Sequence, residues 1–294
     1  MSDTKPRLLV SFSGGRTSAY MSKLLKAKYA DKYELLFVFA NTGQEHENTL
    51  IFVDRCDKEF GLDLVWVEAD VIHEDGKGTS FRKVCFETAS RKGEPYEEMV
   101  KKYGIANKNY PHCNRELKLR PIYAYAKSIG WLPGTFDSAV GIRADEARRI
   151  RKDASKERIV YPLAHWNPVD KQDINDWWEE QPFNLELIER LGNCTWCWKK
   201  SDPKHFANID DFPEIYDFPR RMELLYPHAG RSQTGEARVF FRHGRSTDQL
   251  FAARIAAEGF RVLPADADAD GGCSESCEAF SVEQLELFDT VAID

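Results

Sequence analysis

The chain has 294 residues, 42% of them hydrophobic, and a formal net charge of −7 at pH 7. That is ample material for a buried core, which excludes a disordered chain, and the acidic balance argues against broad electrostatic binding to nucleic acid. No run approaches the ~18 apolar residues a membrane-spanning helix needs, and the N-terminal MSDTKPR lacks the apolar region of a signal peptide, so a cytoplasmic location with no membrane partner is expected.

Residues 7–12 (RLLVSF), 34–40 (ELLFVFA) and 64–69 (LVWVEA) read as short buried strands, rich in β-branched and aromatic side chains. Helical patterns fill 17–29 and 47–60 between them. Strand candidates at 136–142 and 158–163 follow a helix at 118–129. The alternation predicts an α/β chain, a Rossmann-like open parallel sheet of about five strands with helices on both faces, whose ligand sits at the carboxyl ends of the strands. Residues 76–110 are polar and glycine-containing, and read as a loop-rich excursion over that edge.

Farther on, 173–191 reads as helical with a break at Pro182, 203–231 is mixed, and 246–259 is a helix opened by Ser246-Thr247-Asp248. The stretch ADADADGGCSESCEAF beyond Pro264 is small, acidic and glycine-rich, the composition of a mobile tail. The expected division is an α/β domain over 1–200, a mostly helical C-terminal extension over 201–263 and the acidic tail over 264–294.

A glycine pair follows the first strand and directly precedes a helix, in Ser13-Gly14-Gly15-Arg16-Thr17-Ser18. That context suits an anion cradle: glycines let the backbone approach a phosphate, and free N–H groups at the helix start point at it. Ser13, Thr17 and Ser18 can add hydroxyl donors and Arg16 a positive charge. By itself the turn has a plain structural reading too. It has neither the GxxxxGK[ST] nor the GxGxxG spacing.

Four further segments accompany it. The second strand leads into Asn41-Thr42-Gly43, with Thr49 following; later come Pro111-His112-Cys113-Asn114-Arg115-Glu116-Leu117-Lys118-Leu119-Arg120-Pro121, then Gly141-Ile142-Arg143-Ala144-Asp145-Glu146, then Tyr161-Pro162-Leu163 with Trp166 and the helix containing Trp178. In this order they resemble the phosphoadenylyl-sulfate (PAPS) reductase family of the PP-loop ATP pyrophosphatase, or adenine nucleotide alpha hydrolase-like, superfamily: SGG-x-x-S, [DN]-T-G-x-x-x-x-x-T, C-x-x-R-K-x-x-P, G-x-R-x-x-E and P-[IL]-x-x-W. The resemblance spans about residues 7–200.

The resemblance implies ATP or another adenine nucleotide, with Mg²⁺ as an accompanying ion, held by Ser13, Gly14, Gly15, Arg16, Thr17, Ser18, Asn41, Thr42, Gly43 and Arg143. Arg143 and Arg148 are candidate oxyanion contacts, since guanidinium forks suit phosphate and sulfate; the plain reading of Arg148 is a solvated face. Members that hydrolyse ATP carry Lys-Asp where this chain has Arg16-Thr17.

Seven cysteines in a chain without an export signal read as metal ligands, thiols or core residues rather than disulfides. Cys194-Thr195-Trp196-Cys197 is a C-x-x-C distant from Cys113, as in the iron–sulfur branch of the family. That branch pairs a Cys-Cys with a distant C-x-x-C around a [4Fe–4S] cluster, and here the Cys-Cys is His112-Cys113. Three thiolates with an open iron, or a fourth ligand from His112, Cys273 or Cys277, satisfy a cluster; His112, Cys113, Cys194 and Cys197 equally suit Zn²⁺. Cys56 and Cys85 read as core or loop residues. Trp177, Trp178, Trp196 and Trp198 can either stack on a base or shield the site from water.

The leading expectation is therefore an enzyme that adenylates its substrate with release of pyrophosphate and then transfers sulfur, using an iron–sulfur cluster and an external electron or sulfur donor. The acceptor would be a base in tRNA or DNA, and Arg16 and Arg143 would serve catalysis. The alternative is a sulfonucleotide reductase that yields sulfite through a nucleophilic Cys277, whose Glu275-Ser276-Cys277-Glu278 surroundings differ from that family's E-C-G-[LI]-H. A third reading is a non-catalytic nucleotide-binding module with a structural zinc.

Overall fold

The computed structural model describes residues 5–230 and 235–257. The calls on 258–294, the acidic tail with Cys273 and Cys277, lie outside the described residues.

In chain order the first half comprises β1 (Arg7–Phe12), α1 (Arg16–Tyr29), β2 (Glu34–Asn41), α2 (Glu47–Phe60), β3 (Val65–Val71), β4 (Thr79–Val84), α3 (Glu94–Tyr103) and α4 (Arg120–Ser128). Then come β5 (Phe136–Ala139), β6 (Ile159–Val160), α5 (Lys171–Glu179), α6 (Asp202–Asp211), α7 (Asp217–Leu225) and α8 (Thr247–Ala256). The six strands form one sheet in the order β4-β3-β2-β1-β5-β6, parallel except for the antiparallel β4.

The sheet is covered on both faces, and the period-2 alternation of its strands sorts the core. Leu8, Val10, Phe12, Phe37, Phe39 and Trp66 pack with α1, α2 and Trp178 on one face. Leu9, Val38, Ala40 and Val67 pack with Leu119, Ile122, Tyr125 and Ala126 of the α4 region on the other. A third apolar cluster joins α3, the C-x-x-C segment and α6–α8, drawing on residues from both sides of position 200.

Three sequence expectations change. The 76–110 stretch is an ordered strand and helix: β4 is an edge strand whose TSFRKV leaves charged side chains exposed, and α3 buries only Pro95, Tyr96, Met99 and Val100, so neither shows a strong apolar signal. The expected helix at 118–129 begins as a single π turn, Arg115–Leu119, continuing into α4. The expected 173–191 helix is α5 alone, and 182–188 runs on without regular structure to a short turn at Glu189–Leu191. Ser246 caps α8 as expected, in a reciprocal box with Gln249.

Chain order moves from β1 outward through β2 to β3, then returns to place β5 on the other side of β1. The order of connection thus reverses between β1 and β5, where open α/β sheets form a crevice at their carboxyl ends.

Candidate phosphate-binding cleft

A cleft of about 930 Å³ opens at that reversal. Its floor is the whole run Ser13, Gly14, Gly15, Arg16, Thr17 and Ser18 after β1, with Gly141 and Arg143 after β5; its far wall is α5 and residues 184–193.

The loop is shaped by its own hydroxyls. Ser18 Oγ donates to Gly15 O at 3.0 Å and accepts from Ser13 N at 3.2 Å and Ser13 Oγ at 3.0 Å, so both serine hydroxyl hydrogens serve the turn itself. Gly14 has φ +87°, and a Cβ there would lie 2.7 Å from Thr49 Cγ2, so only glycine lets α2 pack this closely. Gly15 faces open space: a Cβ would meet only Ser13 Oγ at 4.0 Å. Among the described residues no side chain caps α1, and its first turn carries no acidic residue. The helix therefore presents unsatisfied N–H groups and the positive end of its dipole to the cleft.

Arg16 is half-buried there; burial lowers its pKa from the ordinary arginine value, and Glu189 opposes the shift. Its Nε donates to Asn184 Oδ1 at 2.7 Å and its Nη2 to Leu185 O at 2.8 Å. Arg143, buried, donates to Asp145 through Nε at 2.9 Å and lies 3.5 Å from Glu146; its Nη1 reaches Thr17 Oγ1 at 3.4 Å. Arg149 also lines the cleft and pairs with Glu146, whereas Arg148 is exposed and is not among the lining residues. Thr49 lines the cleft as well, and its buried Oγ1 has no hydrogen-bond partner among the described residues.

Asn41, Thr42 and Gly43 are not among the residues lining this cleft. Asn41 Nδ2 donates to the fully buried Glu68 at 2.6 Å and to Ser90 O at 2.9 Å. Thr42 gives both its N–H and its hydroxyl to Glu45, each at 2.9 Å, and Thr42 Oγ1 lies 3.5 Å from Cys194 Sγ. Gly43 approaches Gly93: a Cβ would sit 3.0 Å from Gly93 Cα.

This turn also docks the C-x-x-C. Glu45 pairs with Cys194 in an antiparallel bridge, Thr195 N donates to Gln44 O at 3.1 Å, and Trp196 Nε1 donates to Gln44 Oε1. Within the C-x-x-C, Cys197 N bonds Cys194 O at 3.0 Å, and the buried Lys200 Nζ donates to Gly192 O and Cys194 O at 2.9 Å each.

Cys194 and Cys197 belong to the third apolar cluster, with Cys113 packed against it. His112 is buried and donates Nε2–H to Gly104 O at 3.1 Å; burial, chiefly, brings its pKa down to about 4, so the ring is neutral. Among the described residues, however, no group of three or more His, Cys, Asp or Glu side chains is arranged to hold a metal ion. The donors expected for a cluster or zinc share one region without forming a ligand set there. Cys56 is a core residue whose thiol burial pushes well up, and Cys85 is exposed just after β4. Trp178, Trp196 and Trp198 are buried, so these three build core rather than a stacking surface.

Arg149, whose plain sequence reading is a solvated face like that of Arg148, lines the cleft instead, and the sequence does not single out Asn184, Glu189 or Glu45. Arg149 and Glu189 sit in short 3-10 turns and Asn184 on irregular backbone, none long enough to show a periodicity, and the bridge of Glu45 to Cys194 joins positions far apart in the chain. No helix among the described residues is long and apolar enough to cross a membrane.

Fold and cleft together define an α/β protein with a glycine-led helix start, uncapped among the described residues, at the reversal of a mostly parallel sheet, an arrangement that suits an anion. The profile described as "Phosphoadenosine phosphosulfate reductase domain" matches residues 7–103. The chain is 32% identical over 289 residues to a protein of Escherichia phage lambda described as "Uncharacterized nin region protein ORF290", covering 92% of this chain and 94% of that one. Two uncharacterized proteins of Methanocaldococcus jannaschii are 32% and 26% identical over 215 and 247 residues, which is 70% and 79% of this chain; it spans 45% and 44% of their lengths. The chain belongs to the PAPS reductase family.

Proposed function

We propose that this chain is an enzyme that binds an adenine nucleotide with its phosphates on the 13–18 loop and transfers the adenylyl group, as the first half of a sulfur-transfer reaction. The observation that carries this reading is the uncapped start of α1, with Gly15 open to the cleft and Arg16 held beside it without a carboxylate partner among the described residues. The match to the phosphoadenosine phosphosulfate reductase domain supports the nucleotide-binding part of this reading independently.

A substrate oxygen attacking the α-phosphorus forms the new P–O bond as the bond to pyrophosphate breaks. Charge accumulates on the leaving phosphates, where helix N–H groups and the Arg16 guanidinium stabilise it. Arg143, fixed by Asp145 and Glu146, orients the nucleotide from the β5 side. Sulfide-level sulfur from an external donor then attacks the carbon that bears the adenylated oxygen, so the C–S bond forms as the C–O bond breaks and AMP leaves with that oxygen; a tRNA or DNA base remains the proposed acceptor. No step is assigned to a [4Fe–4S] cluster or zinc, because the described donors do not form a ligand set.

Release of pyrophosphate from ATP by the full-length chain tests the first half, and its absence with every acceptor tried removes it. Iron and acid-labile sulfide analysis of anaerobically purified full-length chain tests the cluster; stoichiometric zinc instead supports the zinc reading. The family description favours a second reading, sulfonucleotide reduction. Sulfite release from adenylyl sulfate or its 3′-phosphorylated form, dependent on a thiol reductant and lost in Cys277→Ser, would establish that reading in place of the first.

A further inference from the structure

We propose that Asn184 is a positioning residue that holds Arg16 over the phosphate cradle while leaving its positive charge uncompensated, so that phosphate charge is what the site selects. The inference rests on the nucleotide reading above.

Among the described residues three arginines line the cleft, and they differ in one respect. Arg143 is paired with Asp145 and Glu146, and Arg149 with Glu146. Arg16 makes no ion pair among the described residues; Glu189 acts on it only at longer range. Its two fixed donors end on neutral oxygens, the Asn184 carboxamide and the Leu185 carbonyl. A neutral acceptor aims a guanidinium without cancelling its charge, whereas a carboxylate in the same place does both.

The Asn184 oxygen is itself fixed. It accepts Leu185 N at 2.7 Å as well as Arg16 Nε. The surrounding segment is tied to the cradle at two other points: Trp178 Nε1 donates to Arg16 O at 3.0 Å, and Asn48 Nδ2 donates to Glu186 O. Arg16 is therefore gripped at its backbone and at its guanidinium by residues 178–185, and the remaining Nη1 is left for a ligand. An acidic side chain at 184 would occupy nearly the same volume but compete with phosphate for Arg16.

The test is equilibrium titration of the full chain with ATP, AMP and adenosine, in wild type, Asn184→Asp, Asn184→Ala, Arg16→Ala and the double variant Arg16→Ala/Asn184→Asp, with thermal melts to confirm folding. Asn184→Asp is expected to weaken ATP on the order of tenfold, AMP less and adenosine not at all. In the Arg16→Ala background the same substitution should weaken ATP by less than in wild type, because only the direct repulsion by the new carboxylate remains once there is no Arg16 for it to draw away from the phosphates. Asn184→Ala, which frees the guanidinium without neutralising it, should weaken ATP by less than Asn184→Asp.

Equal loss for ATP and adenosine, or an undiminished effect without Arg16, would overturn the assignment. So would Arg16→Ala weakening ATP while both Asn184 variants bind as wild type does. Wild-type chain that binds ATP no better than adenosine would instead overturn the nucleotide reading, and this inference with it.

Discussion

Glu45 and Cys194 face each other across an antiparallel bridge that joins the turn after β2 to the C-x-x-C. The carboxylate of Glu45 also gathers Thr42 N, Thr42 Oγ1 and Gln44 N, and the Thr42 hydroxyl, having given its hydrogen to Glu45, offers its lone pair toward Cys194 Sγ. The turn that the family resemblance places beside the nucleotide thus also contacts the cysteine. Glu45→Ala should lower stability by about 1–3 kcal/mol, the cost of orphaning buried donors, and should raise the rate at which Cys194 is alkylated, read peptide by peptide in mass spectra. Unchanged melting and labelling would show that the carboxylate does not hold this junction.

The two glycines of the cradle should separate folding from binding. Gly14→Ala places a side chain at φ +87° and 2.7 Å from Thr49 Cγ2, so a loss on the order of 1–3 kcal/mol in denaturant unfolding is expected. Gly15→Ala meets only Ser13 Oγ, at 4.0 Å, and should change stability by no more than about 0.5 kcal/mol. It should still weaken ATP, because its Cβ enters the space a phosphate needs. If Gly15→Ala binds ATP normally, the phosphates do not lie against that backbone.

Glu68 should behave as the keystone of the β2–β3 edge. It is fully buried and accepts five hydrogen bonds, from Asn41 Nδ2, Arg82 Nε and Nη2, and Ser90 N and Oγ. Glu68→Ala strands the buried Asn41 amide, with an expected loss of about 2–3 kcal/mol. Arg82→Ala should have a smaller effect, since that side chain is half exposed and water can replace it.

His205 predicts acid lability. Burial above all, then the charges of Lys200, Arg245 and Arg242, hold its pKa well below 6.5, while Nδ1 bonds the Tyr216 hydroxyl at 2.8 Å. The ring is therefore neutral when folded, and below about pH 6.5 the unfolded chain takes up a proton the folded chain refuses. Stability should be fully present above that pH and fall by up to about 1.4 kcal/mol per pH unit as pH drops below it. His112, with its pKa brought down to about 4, acts in the same direction. Denaturant midpoints at pH 7.5 and 5.5 check this: the difference should shrink in His205→Gln, and an equal difference in both proteins would remove His205 as a cause.

What could be read in the sequence follows from what is local. β1 and α2 have the bounds expected, because their alternation or 3.6-residue pattern ends against turn residues within a few positions. The glycine pair was legible for the same reason: strand, turn and helix start are contiguous. β4 was not, because an exposed edge strand with Arg82 and Lys83 carries little apolar signal. Asn184 was invisible to pattern reading, since its partner lies 168 residues away and the backbone between them is shaped by the whole sheet. The cysteine motif was legible as spacing, but spacing does not fix where Cys113 and His112 sit relative to the C-x-x-C.

The most direct measurement is a crystal structure of the full chain with a non-hydrolysable ATP analogue. The phosphates should lie over Gly15, within hydrogen-bond distance of the first backbone N–H groups of α1 and of Arg16 Nη1, with Arg143 on their β5 side. An analogue bound elsewhere, or bound in the cleft with its phosphates turned away from α1, would overturn the assignment of residues 13–18 as the phosphate cradle.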